Sequence, residues 1–235
     1  MSNYIIPNLF VLTFLILVSI SCTHQDKIQM NNHNNSGQLI NYLALGDSYT
    51  IGQGLEESER WPNQLGQKLE ENGYEIGAID IIAKTGWTTT NLINNIELTE
   101  LGEFNLVSLL IGVNNQFQNK SFEIFRSEFD LLVEKSIQIT GSNKRVFILS
   151  IPDYGVTPFG SSNSDMIAQE LDMYNDYMNQ RCFEQNISFV NITEISRQLA
   201  DSPGSLAEDN LHPSGSQYAK WVKELFPKVI ALLEK

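Results

Sequence analysis

The sequence predicts an α/β protein in which five parallel strands form one sheet with helices on both faces. Three observations predict this class. Short apolar stretches alternate with longer segments that repeat apolar residues at helical spacing. Stretches such as Phe104–Ile111 are almost continuously apolar, as expected of a parallel strand buried on both faces. No internal repeat or second domain interrupts the alternation.

The first half of the domain begins with a strand at Tyr42–Leu45, where large and small apolar residues alternate. Trp61, Leu65 and Leu69 recur every four positions, which predicts an amphipathic helix that ends at Asn72-Gly73. The other elements of this half are a strand, a short helix and a strand, over Glu75–Ala83, Thr88–Ile96 and Phe104–Ile111.

The second half continues the alternation. Apolar residues at helical spacing predict a helix over Ser121–Ile139. A strand, a helix, a last strand and a C-terminal helix kinked at Pro227 follow, over Arg145–Ile151, Met166–Phe183, Ile187–Ile192 and Ser214–Leu233. Cys182 lies on the apolar side of its helix, so we expect it to pack in the core.

The N-terminal segment predicts export. The apolar run Leu9–Ile20 is too short to span a bilayer comfortably and is typical of a signal peptide. It ends at a segment that resembles a bacterial lipoprotein signal, with Cys22 as the lipidated residue, although ordinary cleavage after small residues fits too. We therefore expect a signal peptide over residues 1–21, a polar tether over 22–38 and the folded domain over 39–235. We expect the product to be a lipoprotein anchored at the membrane in the periplasm or at the cell surface, or otherwise a secreted protein.

Composition narrows the function. The formal net charge of −13 repels phosphate backbones, so we expect no nucleic-acid partner. The chain has three histidines, and two of them, His24 and His33, precede the domain. His212 alone remains as an imidazole base, and a metal site with several histidines is excluded. No cofactor is implied.

Four short motifs stand where predicted strands end or a helix is about to begin. They are Gly46-Asp47-Ser48, Lys84-Thr85-Gly86-Trp87-Thr88-Thr89, Ile111-Gly112-Val113-Asn114-Asn115 and Asp209-Asn210-Leu211-His212-Pro213. The carboxyl ends of parallel strands meet at one edge of a sheet, so these motifs should converge on one cleft. We expect Gly46 to let the backbone turn tightly before Ser48, and we expect Ser48 and His212 to lie at an exposed rim.

The converging residues permit acyl transfer. Ser48 can attack a carbonyl carbon while His212 takes its proton, and Asp209 stands close enough to orient the imidazole. The backbone N–H groups of Ser48 and Gly86 and the side-chain amide of Asn114 are candidate donors to the oxyanion. Each piece also has a plainer interpretation: Asp209 could cap the last helix, and Gly86 and Asn114 could be ordinary loop residues.

These motifs, in this order, resemble those of the SGNH hydrolase superfamily, also called GDSL lipases and esterases. The resemblance covers the domain from about Leu39 to Lys235, and Ser48, Gly86, Asn114 and His212 match its four signature residues. It implies a flavodoxin-like three-layer α/β/α sandwich and a metal-independent ester hydrolase. Two motifs depart from the family pattern, because Tyr49 and Asn115 stand where leucine and aspartate are usual.

The substrate pocket should lie beside the four motifs. Its candidate lining residues are aromatic: Trp87, Phe117, Tyr154 and Phe159. Small-molecule, lipid and acetylated-glycan esters all remain possible substrates, and transfer of the acyl group to an alcohol is a further possibility.

Two other functions remain possible. One is a flavin- or phosphate-binding module that uses Ser48, Thr50, Gly52 and Gly54, although Asp47 inside that loop would repel a phosphate. The other is a surface glycan-binding protein with an inactive site.

Overall fold

The sheet has five parallel strands in the order β2-β1-β3-β4-β5. The strands are β1 Ile40–Gly46, β2 Ile76–Ala83, β3 Leu106–Leu110, β4 Val146–Leu149 and β5 Ser188–Val190. All residues of β3 and β4 are buried, whereas the edge strand β2 is partly exposed. The predicted five-stranded parallel sheet is therefore confirmed.

This computed structural model describes residue 1, residues 39–199 and residues 202–234. The predicted signal peptide from residue 2 onward, the lipidated Cys22 and the polar tether lie outside the described residues. Within the described ranges, no helix combines the length and the apolar character needed to cross a bilayer.

Eight helices connect or flank the strands in the described part of the chain. They are α1 Ser48–Ile51, α2 Trp61–Glu71, α3 Thr89–Leu98, α4 Val113–Phe117, α5 Phe122–Thr140, α6 Ser164–Gln185, α7 Thr193–Leu199 and α8 Gly215–Leu233. Helix α2 packs against α8, and α5 packs against α3 and α6. Connections between parallel strands are right-handed, so helices that connect strands in opposite directions along the sheet lie on opposite faces. Helix α2 connects β1 to β2 in one direction, whereas α3, α5 and α6 connect their strands in the other. Helix α2 therefore lies on one face of the sheet, and α3, α5 and α6 lie on the other. The result is the predicted three-layer sandwich.

Most element boundaries differ from the prediction by a few residues. Phe104 and Ile111 are buried but lie outside β3, because apolar character persists beyond the last ladder hydrogen bonds. Thr88 caps α3 instead of belonging to it: its side chain accepts from the backbone N–H of Asn91. Pro227 lies inside α8 without ending it. The two short helices α4 and α7 were not predicted.

Cys182 packs in the core, as predicted. Its side chain is buried on α6, and burial raises the pKa of its thiol to about 12. A thiol that stays protonated is a poor nucleophile, so Cys182 contributes to packing.

Candidate active site

The site lies at the position in the sheet where the order of the strands reverses. After β1 the chain crosses to β2 on one side, and after β3 it crosses to β4 on the other side. The carboxyl ends of β1 and β3 therefore border a crevice, which is the usual ligand-binding position in an open α/β sheet. Ser48 follows β1 and Asn114 follows β3, so the sheet order brings these two side chains to the same crevice.

Ser48 is the first residue of α1, as the sequence predicted for a serine between a strand and a helix. Asp47 caps this helix, and its Oδ1 accepts from the backbone N–H of Tyr49 at 3.0 Å. Gly46 does not serve the tight turn that the sequence suggested. It allows close packing instead, because a Cβ there would overlap the carbonyl oxygen of Leu110 and the hydroxyl of Thr50.

Asp47 itself is fully buried beneath the site. Burial raises the pKa of its carboxyl to about 7, although the hydrogen bond from Tyr49 works in the opposite direction. Thr50 is buried as well and points toward Gly46. The Thr50 hydroxyl, one of the two that the phosphate-binding alternative requires, is therefore not presented to a ligand.

Asp209 and His212 form a close pair. Asp209 Oδ2 lies 2.6 Å from His212 Nδ1, and Oδ1 accepts from the backbone N–H groups of Leu211 and His212 at 3.0 and 2.9 Å. Partial burial opposes ionisation, but these hydrogen bonds hold the pKa of Asp209 below its ordinary value. Asp209 does not cap α8; Ser214 does so, by accepting from the backbone N–H of Gln217.

The candidate oxyanion donors face the same cavity. Gly86 has a φ of +84°, a left-handed conformation that favours glycine, and no described atom lies near the position of its missing Cβ. The Asn114 amide donates one hydrogen to the carbonyl oxygen of Trp87 at 3.0 Å, which leaves its second hydrogen for a ligand. Ser48 N–H is the third candidate donor, because it is the first N–H of α1 and has no partner within the helix.

The cavity has a volume of about 210 Å³. Its wall combines four of the five predicted catalytic and oxyanion-hole residues, all but Asp209, with aromatic and aliphatic side chains. The lining residues are Ser48, Tyr49, Thr85, Gly86, Val113, Asn114, Phe117, Tyr154, Phe159, Leu211 and His212. Phe117 and Phe159 are half-exposed at its outer end, and their ring centroids are 5.8 Å apart. Tyr154 is buried deeper and contacts both rings. Three of the four predicted pocket residues therefore line it.

Two expectations were wrong. Trp87 does not line the cavity; its half-buried side chain packs against the core, and only its carbonyl oxygen contacts the site through Asn114. Ser48 and His212, expected at an exposed rim, are only 5% and 7% exposed. The sequence interpretation missed Tyr49, whose ring centroid lies 5.4 Å from that of the imidazole and which lines the same cavity. Its position beside Ser48 was the available signal.

Taken together, the site has a serine at a helix start, an imidazole held by a carboxylate and amide donors that face one cavity. Among the described residues there is no group of three or more His, Cys, Asp or Glu side chains placed to hold a metal ion. This arrangement on a doubly wound parallel sheet can perform nucleophilic acyl transfer, which is the chemistry of ester hydrolases.

Comparison with known proteins identifies the family. The sequence model of the GDSL-like Lipase/Acylhydrolase family matches residues 44–220, so the chain belongs to this family and is an ester hydrolase. A comparison with curated protein sequences found no match.

Solved structures share the fold at low sequence identity. An acetylxylan esterase, Axe2 from Geobacillus stearothermophilus, is 16% identical with a TM-score of 0.66, covering 82% of this chain and 95% of its own. The esterase EstA from Pseudoalteromonas sp. is 19% identical with a TM-score of 0.62, covering 83% and 99%. TesA is 15% identical with a TM-score of 0.66, covering 82% and 99%.

Proposed function

We propose that this ester hydrolase uses Ser48 as its nucleophile, His212 as its general base and Asp209 to orient and charge-balance the imidazole. The contact of 2.6 Å between Asp209 and His212, beside the cavity that also contains Ser48, supports the proposal most directly. A carboxylate that accepts from Nδ1 places the imidazole lone pair on Nε2, the nitrogen that must take the serine proton.

The reaction proceeds in two halves. Ser48 Oγ attacks the ester carbonyl carbon while His212 Nε2 takes the hydroxyl proton, and the tetrahedral intermediate carries its charge on the former carbonyl oxygen. The N–H groups of Ser48 and Gly86 and the amide of Asn114 donate to this oxygen. The intermediate then expels the alcohol, which receives the proton from His212.

In the second half, water attacks the acyl-enzyme. His212 takes a proton from the water, a second tetrahedral intermediate forms, and the carboxylic acid leaves as Ser48 recovers its proton. An alcohol in place of water would give acyl transfer through the same steps. The ratio of acid to transferred ester at increasing methanol concentration therefore measures how strongly the site prefers water.

Substitution of the two central residues tests the mechanism. Ser48→Ala and His212→Ala should each lower kcat for p-nitrophenyl butyrate by about 10⁴-fold or more. Ser58→Ala, which removes an exposed serine, is the matched control. If His212→Ala kept more than about a tenth of the activity, the assignment would fail, because the described domain contains no other histidine.

The cavity favours an apolar acyl group of short to medium length. The cavity of about 210 Å³ is small, and most of its wall beyond the catalytic groups is aromatic or aliphatic, which supports a short to medium apolar chain. Each buried methylene contributes about 0.8 kcal/mol, or roughly fourfold in affinity. We expect kcat/KM to rise from the acetate to about the hexanoate of a p-nitrophenyl series and to level off beyond it. Faster turnover of acetate or acetylated xylan would contradict this proposal.

We also propose that the protein is exported and anchored through lipid on Cys22. The apolar run before Cys22 and the small residues beside it support this proposal. Cys22→Ala should move the protein from the membrane fraction to the soluble fraction, and equal distribution of the two variants would contradict lipidation.

A further inference from the structure

Side-chain amides on α4 and on Gln118, the residue that follows it, form hydrogen bonds with the segment after β2. The Asn114 amide donates to the carbonyl oxygen of Trp87, and the Gln118 amide donates to that of Gly86, each at 3.0 Å. Two of the three proposed oxyanion donors, Gly86 and Asn114, therefore lie on segments whose separation these contacts help to set. Both contacts are at the partly exposed edge of the site.

A third contact between the same segments is completely buried. Asn115 Oδ1 accepts from the backbone N–H of Thr89 at 3.0 Å, and Asn115 Nδ2 lies 2.6 Å from Thr89 Oγ1. Both residues have no exposed surface. A backbone N–H can only donate, so it fixes which end of the amide faces it. Nδ2 must then donate to the threonine hydroxyl.

The orientation of this amide determines where the threonine proton goes. Because Thr89 Oγ1 accepts from Asn115, its own hydrogen is directed to Glu128 Oε2 on α5, with which it forms a hydrogen bond. Thr90 also donates to Glu128, at 2.8 Å. The hydrogen bonds therefore run in one direction, from Asn115 through Thr89 to Glu128, and end on a carboxylate that can only accept.

We propose that Asn115 is a positioning residue that holds Gly86 and Asn114 at the separation required for the oxyanion, through this one-directional chain to Glu128. The inference rests on the proposed function, since it concerns the same oxyanion donors. It also assigns a physical role to a residue at which the sequence departs from the family pattern. This series of hydrogen bonds requires a donor at position 115 as long as the side chain at position 128 is a carboxylate.

The substitution Asn115→Asp tests the direction of the chain. The new carboxylate still accepts from the Thr89 N–H, but it competes with Glu128 for the single hydroxyl proton and repels the second carboxylate. We expect kcat for p-nitrophenyl butyrate to fall by about tenfold or more, since a small displacement of catalytic groups can cost up to about 10²-fold. KM should change less than about threefold, because the aromatic cavity wall is unchanged.

Adding Glu128→Gln to Asn115→Asp should restore the chain in the opposite direction. The new amide at position 128 can donate to the Thr89 hydroxyl, which then donates to the new carboxylate at position 115. We expect the double variant to recover kcat to within about threefold of wild type, because the two substitutions act on the same threonine hydroxyl and their effects are therefore not additive. Asn94→Asp, which adds the same charge at an exposed position of α3, is the control.

A second pair of variants applies if Asn115→Asp does not fold. Thr89→Val removes the hydroxyl at nearly constant volume and should lower kcat by about tenfold, whereas Thr89→Ser should retain it. Wild-type kcat in Thr89→Val, or no recovery in a folded Asn115→Asp/Glu128→Gln variant, would overturn the inference. Ser48→Ala in the same assay separates the two proposals. If Ser48→Ala is inactive while Asn115→Asp keeps full kcat, only the positioning role of Asn115 fails. If Ser48→Ala stays active, the proposed nucleophile fails.

Discussion

Asp47 makes the stability of the fold depend on pH in an unusual direction. Burial raises the pKa of its carboxyl from 3.8 to about 7. Between these values the folded protein keeps a proton that the unfolded chain releases, so stability present below pH 3.8 is lost as the pH rises toward 7. At about 1.36 kcal/mol per pKa unit, the loss reaches about 4 kcal/mol above pH 7.

Asp47→Asn removes this ionisation and keeps an oxygen that can accept from the Tyr49 N–H. At pH 5 the wild type has lost less than half of this amount, so the unfolding free energy of Asp47→Asn relative to wild type should be about 2 to 3 kcal/mol higher at pH 8 than at pH 5. Urea unfolding at both pH values measures this difference, and contributions independent of pH cancel. Asp80→Asn, at an exposed position of β2, is the control. A difference below about 1 kcal/mol would refute the reasoning, because it would mean that the carboxylate is well solvated or paired.

Three further predictions concern catalysis. Asp209→Asn should lower kcat by roughly 10²-fold, because an amide facing Nδ1 favours the wrong imidazole tautomer and because the imidazolium loses a charge interaction of about 1 to 4 kcal/mol at this half-exposed position. Glu208→Gln is the control. A loss of kcat under threefold would mean that Asp209 only stabilises the turn. Asn114→Ala should lower kcat by about 10²- to 10³-fold with a smaller change in KM, and an unchanged kcat would place the oxyanion elsewhere. Phe159→Ala should open the outer end of the cavity and move the preferred acyl chain to longer esters, whereas Phe183→Ala, at an exposed position on α6, should not.

The sequence was sufficient to predict the sheet because buried parallel strands have a distinctive pattern. The all-buried segment Leu106–Leu110 lies inside the continuous apolar run from which β3 was predicted. The boundaries were less accurate, since Phe104 and Ile111 are buried by side-chain packing without taking part in the strand. Helices α4 and α7 have five and seven residues, too few for an apolar period to be recognised.

The sequence predicted which residues form the candidate site better than it predicted their burial and packing. Motif order and sheet topology together bring Ser48, Asn114 and His212 to one cavity. The burial of His212 could not be read from the motifs, because it depends on packing with neighbours such as Tyr49. The role of Trp87 was equally inaccessible, since the direction of a side chain in a loop follows from packing with distant segments.

The two halves of the site are positioned by different means. Ser48 and Asn114 depend on strands β1 and β3, so their separation is a property of the sheet. His212 depends on its own loop: its carbonyl oxygen accepts from the N–H of Ala207 at 2.8 Å, and Asp209 Oδ1 takes the two N–H groups that follow the turn. One carboxylate oxygen thus fixes the turn while the other holds the imidazole, which explains the spacing of three residues between Asp209 and His212. Because a single carboxylate does both, Asp209→Asn tests orientation and charge with the turn retained, whereas Asp209→Ala would lose all three.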